Sequence, residues 1–354
     1  MKLPDFKQKT TQLVSSLILV MIFGVILGLA WAYISDSYIG SPLKKGHFSF
    51  GQTYTGEDLA SSLDLRVAAK AAYQSSALAQ TQDLGEISGT HQSVVSFSVP
   101  QDGITEYGLM SVPLSKMPAG GYPAIILCHG YYNPAQYSTT KGYLNDMEFY
   151  SQHGFVVVKP DYRGQGFSAQ VGRPEGAYYS MAYNSDIMSL IASLKQTNYI
   201  NKHSINLWGQ SMGAYIALRA TVLSPDIRHT ILLSGPVGQI QDMYKMYVAP
   251  SDKDNPVAYQ IKQGAIAKYG SPVANPNYWE NASPINFVNS TSAYIEINVG
   301  TADKVVPPVF SKQLDSALTK AGKAHQYFVY QGGGHGLQAE RPQIWQRSLQ
   351  VLEN

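Results

Sequence analysis

A single cysteine, Cys128, in 354 residues leaves no partner for an internal disulfide and cannot build a cysteine zinc site. It ends the apolar run Ala124-Ile125-Ile126-Leu127-Cys128, where a small buried hydrophobe is expected rather than a reactive thiol. An excess of charge of one sign is also missing. Lys and Arg number 26 against 24 Asp and Glu, a net charge of +2, and no basic stripe interleaves with aromatics, so nucleic acid is not an expected partner. No internal repeat or low-complexity tract interrupts the chain, and only one uncharged run is long enough to cross a bilayer, which argues against a transporter or receptor subunit with several spans.

That one run is residues 13–34, about twenty residues without a charge, preceded by Lys2, Lys7 and Lys9 and followed by Asp36. The positive-inside rule predicts a cytoplasmic N-terminus (1–12), a transmembrane anchor (13–34) and an extracytoplasmic body. The alternative is a cleaved signal segment, for which Ala30-Trp31-Ala32 supplies a small-x-small site and which would leave a secreted or periplasmic protein. The length of the run favours the anchor. Residues 35–92 read as a stalk and N-terminal extension, with a possible Ala-rich helix over 58–79 and no visible chemistry.

From about residue 93 to 354 apolar strands alternate with helices. Strands are predicted at 94–99, 107–112, 124–128, 155–159, 205–208, 230–233, 293–299 and 325–330, the first two joined by a turn at Gln101-Asp102-Gly103. Such alternation predicts an α/β fold, an eight-stranded, mainly parallel sheet with helices on both faces. Residues 235–284, rich in Tyr, Met and Pro, exceed what one crossover needs. They read either as a cap over a site or as a surface insertion whose aromatics pack downward.

The chemistry centres on Gly209-Gln210-Ser211-Met212-Gly213, between the strand at 205–208 and a helix beginning near Ala214. Gly-x-Ser-x-Gly between a strand and a helix is the nucleophile elbow, a strained turn that holds the Ser211 hydroxyl at the carboxyl end of the sheet. A serine hydroxyl needs a base, a group to orient the base, and an oxyanion hole. Asp303 follows the strand at 293–299 in Gly300-Thr301-Ala302-Asp303, and His335 follows the last strand in Gly332-Gly333-Gly334-His335. Ser, Asp, His, each in a loop after a strand, is the α/β-hydrolase order. His325 begins a strand at the wrong edge, His129 precedes the nucleophile, and Asp315 and Glu296 fall within a helix and a strand. Backbone N–H groups of Met212 and of Tyr131, in the loop His129-Gly130-Tyr131, are the expected oxyanion donors.

Together with Asp161-Tyr162-Arg163-Gly164-Gln165-Gly166 and Ser283-Pro284-Ile285, these blocks make residues 93–354 resemble the catalytic domain of the prolyl oligopeptidase family of serine peptidases. The resemblance implies Ser211 as nucleophile, Asp303 as orienting acid, His335 as base, small acyl ester or short peptide substrates, and no metal or organic cofactor. The Asp161 block is expected to shape a loop beside the site. Full-length family members carry a β-propeller before this domain, and residues 35–89 are too few for one, so no amine-binding glutamates are assigned. A single-domain esterase is slightly preferred over a dipeptidyl or acylaminoacyl peptidase. A non-catalytic binding protein of the same fold is the remaining alternative, one that normally lacks a triad member.

Overall fold

The computed structural model describes residues 73–172, 181–247 and 269–353, together with 65, 266 and 267. The apolar run 13–34 and most of the expected stalk lie outside the described residues. No helix among the described residues is long and apolar enough to cross a membrane.

One sheet organises the molecule. Its strands are β1 (Ala79–Ile87), β2 (Thr90–Val99), β3 (Ile104–Pro113), β4 (Tyr122–Cys128), β5 (Val156–Pro160), β6 (Ile200–Gln210), β7 (Ile227–Leu233), β8 (Tyr294–Gly300) and β9 (His325–Tyr330), in the order β1-β2-β3-β5-β4-β6-β7-β8-β9. The first three pairings, β1 with β2, β2 with β3 and β3 with β5, are antiparallel, and the rest are parallel. This is the α/β-hydrolase arrangement with nine strands, not the eight expected. The additional strand, β1, has the sequence AQTQDLGEI and is almost entirely exposed. Two irregularities in its pairing, at Gln80/Gln82 and Asp83/Gly85, mark it as a solvated edge. Polar residues, a charge and a bulged backbone protect an edge from further pairing, and they also erase the apolar alternation by which a strand is read.

The central strands are apolar on consecutive residues because both faces are covered. Along β4, Ala124, Ile126 and Cys128 join one core, while Ile125 and Leu127 join the other. Val156 and Val158 of β5 likewise face away from Val157, the period of two that a pleated strand imposes. Helices α1 (Leu144–Gln152), α2 (Ala182–Gln196), α3 (Met212–Leu223), α4 (Ile240–Tyr247), α5 (Pro276–Ala282), α6 (Val309–Lys320) and α7 (Arg341–Leu352) flank the sheet. Met147 and Tyr150 of α1 pack with Ile344 and Leu349 of α7 on one face. Ile187 of α2, Ile216 of α3 and Phe310 of α6 cover the other. Cys128 is a fully buried free thiol, pushed up to about 12 by that burial, as an inert core residue should be.

Two features of this scaffold bear on function. The chain moves from β4 to β5 on one side and returns to β6 on the other, so a crevice opens at the carboxyl ends of β4 and β6, where ligands bind in such sheets. Helix α3 also approaches the end of β4 so closely that a Cβ on Gly213 would stand 1.8 Å from the Cys128 carbonyl oxygen and 2.6 Å from that of His129. Those atoms are backbone and cannot swing aside. Gly213→Ala is therefore expected to lower the unfolding free energy by at least about 3 kcal/mol, the upper end for overpacking. Urea denaturation of the purified protein checks this, and a midpoint unchanged from wild type would contradict the close approach.

Candidate active site

Ser211 closes β6 and opens α3. Its N–H donates to the Leu233 carbonyl at 2.9 Å, continuing the β6–β7 pairing, and its φ of 56° and ψ of −123° lie in a region that a side-chain-bearing residue rarely occupies. Such a conformation costs on the order of 1–3 kcal/mol and persists only where the surroundings impose it. The imposition comes from the neighbours of the turn, above all the contact of Gly213 with β4.

Asp303 and His335 come from loops after β8 and β9. The two loops touch at Gly300 and Gly333, where a Cβ on Gly300 would meet the Gly333 carbonyl oxygen at 2.1 Å. Ala302 N–H donates to that same oxygen at 2.9 Å, and Gly332 N–H donates to the Thr301 hydroxyl at 2.9 Å. The Asp303 side chain is wholly buried. Its Oδ1 accepts the Val305 and Val306 N–H groups, each at 2.9 Å, which leaves Oδ2 for the imidazole. His335 Nδ1 lies 2.9 Å from that Oδ2, and His335 Nε2 lies 2.9 Å from Ser211 Oγ. With Nδ1–H donating a hydrogen bond to the carboxylate, Nε2 is left as the acceptor for the hydroxyl proton. All three residues named from the sequence thus meet in one hydrogen-bonded line.

Met212, the first residue of α3, has a buried side chain, and its backbone N–H precedes any intrahelical acceptor. Tyr131 follows Gly130 at the end of β4, and a Cβ on Gly130 would stand 3.4 Å from the Ser211 Cβ. The two backbone donors expected from the sequence therefore come from neighbouring strand ends. The Tyr132 ring, by contrast, packs edge to face against His129, Tyr137 and Tyr143.

The rival groups sit elsewhere. His129 is fully buried between Tyr137 and Tyr162, and burial together with the charge of Lys159 pushes it down to about 3. Glu296 lies inside β8, pushed up to about 7 by burial, with Oε1 accepting from Asn298. His325 pairs with Asp315 at 3.1 Å, away from the nucleophile. Asp161 braces the loop after β4. Its carboxylate accepts from Tyr137 Oη at 3.0 Å, Thr139 Oγ1 at 2.7 Å and Phe167 N–H at 2.9 Å. Arg163 of the same block is buried against Asp186 and Asp102, with Nη2 2.6 Å from Asp102. In the 235–284 segment Tyr269 and Tyr278 stack at 4.6 Å, Trp279 is buried, and Tyr215 of α3 donates to the Ala282 carbonyl. Tyr269 and Trp279 belong to the same buried cluster as Tyr215. Among the described residues no group of three His, Cys, Asp or Glu could hold a metal ion.

Sequence reasoning passed over Tyr143, Gln210 and Arg341. Arg341 donates to the Gly336 carbonyl at 3.0 Å and to Asp146 at 2.8 Å, fastening the histidine loop to α1. The Tyr143 hydroxyl accepts from Gly130 N–H at 2.9 Å and donates to Gln210 Oε1, and Gln210 Nε2 donates to the His335 carbonyl at 3.3 Å. Gln210 lies inside the elbow motif at a position the motif leaves open. Tyr143 carries no local signature, since its contacts form only when three loops meet.

Known proteins bear on this geometry. The sequence model of the prolyl oligopeptidase family matches residues 142–353, more than half of the chain. No curated protein sequence matches it. Among solved structures, a puromycin-hydrolyzing peptidase of Mycobacterium tuberculosis superposes with a TM-score of 0.55 at 18% identity, over 70% of this chain and 36% of that one. The acylaminoacyl peptidase of Pyrococcus horikoshii gives 0.56 at 17% identity, over 71% and 40%. The acetyl xylan esterase of Paenibacillus sp. R4 gives 0.62 at 16% identity, over 85% and 97%. This chain thus spans well under half of the two peptidases and nearly all of the esterase. At such identity these likenesses speak for the fold alone. The family match rests on sequence, takes in Ser211, Asp303 and His335, and covers the whole parallel half of the sheet beyond β4, so the chain belongs to the prolyl oligopeptidase family.

Proposed function

We propose that the chain is a serine hydrolase that cleaves small acyl esters, and that Ser211, His335 and Asp303 are its catalytic residues. The observation that carries the proposal is the unbroken line of two 2.9 Å hydrogen bonds from Ser211 Oγ through His335 to Asp303. Ser211 Oγ attacks the substrate carbonyl carbon while its proton passes to His335 Nε2, and the carbonyl electron pair moves onto oxygen. Asp303 Oδ2 stabilises the imidazolium through Nδ1–H. Backbone N–H groups of Met212 and Tyr131 stabilise the oxyanion, worth about 10²–10³ in rate for each donor. Collapse breaks the bond to the leaving alcohol, which takes the proton from His335, and water then releases the acid by the same steps.

An acetyl xylan esterase shares this fold at a TM-score of 0.62, and that likeness supports an ester substrate. The second reading, an exopeptidase acting on dipeptidyl or acylaminoacyl substrates, is supported by the family match itself.

A paired panel separates them. p-Nitrophenyl acyl esters of rising chain length and aminoacyl or dipeptidyl p-nitroanilides are offered to wild type and to Ser211→Ala. Ester turnover abolished in the variant, with anilides untouched, is the expected result. Anilide turnover lost in the same variant would establish the peptidase, and turnover that survives the substitution would remove Ser211 from the mechanism. Asp303→Asn, which keeps the shape but presents an amide to Nδ1, is expected to lower kcat by roughly 10³–10⁴ while KM changes little. A loss confined to KM would show that Asp303 binds substrate instead of orienting the base.

A further inference from the structure

Three buried or half-buried groups beside Ser211 have no part in the steps above: His129, Tyr143 and Gln210. Their hydrogen bonds form a directed chain. A backbone N–H can only donate, so at 2.9 Å from Gly130 N the Tyr143 hydroxyl oxygen accepts. Its own proton then goes to Gln210 Oε1. The amide side chain keeps its NH₂ for the His335 carbonyl, which can only accept, at 3.3 Å. Gln210 is thereby linked to two loops at once, the one after β4 and the one that carries the base.

The other side of Gly130 is held as well. Its carbonyl oxygen lies 2.7 Å from His129 Nδ1, so Nδ1 carries the proton there. His129 is neutral, because burial and Lys159 oppose a charge, and its single proton is spent on this contact. The longer 3.3 Å approach of Nε2 to the Asp161 carbonyl has none to share. Both peptide planes that meet at Gly130 are therefore pinned, one by Tyr143 and one by His129. In a trans peptide the N–H points opposite to the C=O. With the Gly130 oxygen turned inward to His129, the Tyr131 N–H must point out of the aromatic cluster. Rotating it inward would break the His129 bond, and shifting the loop would break the bond to Tyr143.

The geometry points to Tyr143 and Gln210 as positioning residues that hold the Tyr131 N–H in its oxyanion-binding orientation and couple that orientation to the loop carrying His335. This inference rests on the serine-hydrolase reading. Neither side chain is asked to touch the substrate. What they contribute is a common reference: the donor for the oxyanion and the base are set from one amide, so that the loops cannot drift apart independently.

The test uses the full chain with p-nitrophenyl acetate. Tyr143→Phe removes one oxygen and keeps the ring; Gln210→Met keeps the length and removes both polar atoms. Each is expected to lower kcat by about ten- to a hundredfold, the scale of a misplaced transition-state group, with KM within about twofold. The double variant is expected to match the more damaged single one, because both act through one chain of bonds. Tyr150→Phe supplies the comparison: its buried hydroxyl bonds to Ser348 at 2.7 Å on the far side of α1, so its loss lowers the thermal midpoint and leaves kcat intact. Wild-type kcat in either soluble variant, or losses that add in the double variant, would overturn the coupling. So would kcat losses no larger than Tyr150→Phe shows for an equal drop in midpoint. Failure of the underlying reading appears separately, as turnover that persists in Ser211→Ala.

Discussion

The contact of Gly213 with the carbonyls of Cys128 and His129 is the constraint on which the site depends. It lets α3 start directly against the end of β4, and that proximity forces the turn at Ser211 into its positive φ. A larger residue at 213 would push the helix outward, and the serine would relax into an ordinary strand-to-helix bend with its hydroxyl aimed elsewhere. The same approach brings the loop after β4 alongside Ser211. One steric fact therefore sets both the Ser211 hydroxyl and the neighbourhood in which, on the proposed mechanism, the substrate oxygen would come to rest.

Around that fixed point the remaining groups are located by hydrogen bonds. The Asp303 carboxylate is buried, and Oδ1 is held by two N–H groups of its own loop, so Oδ2 has a single direction in which to serve the imidazole. His335 lies between this carboxylate and the serine, while Arg341 and Gln210 fasten the loop that bears it. Four of these six bonds join a backbone group to a side chain. Bonds of this kind are how irregular segments at a sheet's edge reach the precision that the proposed acyl transfer would demand.

How much of this was legible in the sequence depended on the range of the interactions. Strands β4 to β8 were readable because burial on both faces makes them continuous apolar runs, and β9, only half-buried, because Tyr327-Phe328-Val329-Tyr330 is aromatic and β-branched; the residues after their carboxyl ends could be placed with them. Ser211, Asp303 and His335, the residues of the proposed triad, were singled out through that placement, since they stand one, three and five residues after the ends of β6, β8 and β9. Edge strand β1 was not legible: exposure removes the very pattern that marks a strand. Tyr143 and Arg341 were invisible for another reason, as their partners Gly130, Gln210 and Asp146 are brought close only by the finished fold. Residues 235–284 read equally as a cap or as a packed insertion, because an aromatic-rich stretch has the same composition in either role.

In the proposed mechanism Ser211 is a nucleophile activated by His335. The most direct test is labelling of the folded protein with a fluorophosphonate, with the modified peptide mapped by mass spectrometry in wild type and in His335→Ala. One adduct is expected, on Ser211, formed in wild type and slowed by orders of magnitude in the variant. An adduct on another residue, or equal labelling of Ser211 with and without the histidine, would contradict that mechanism.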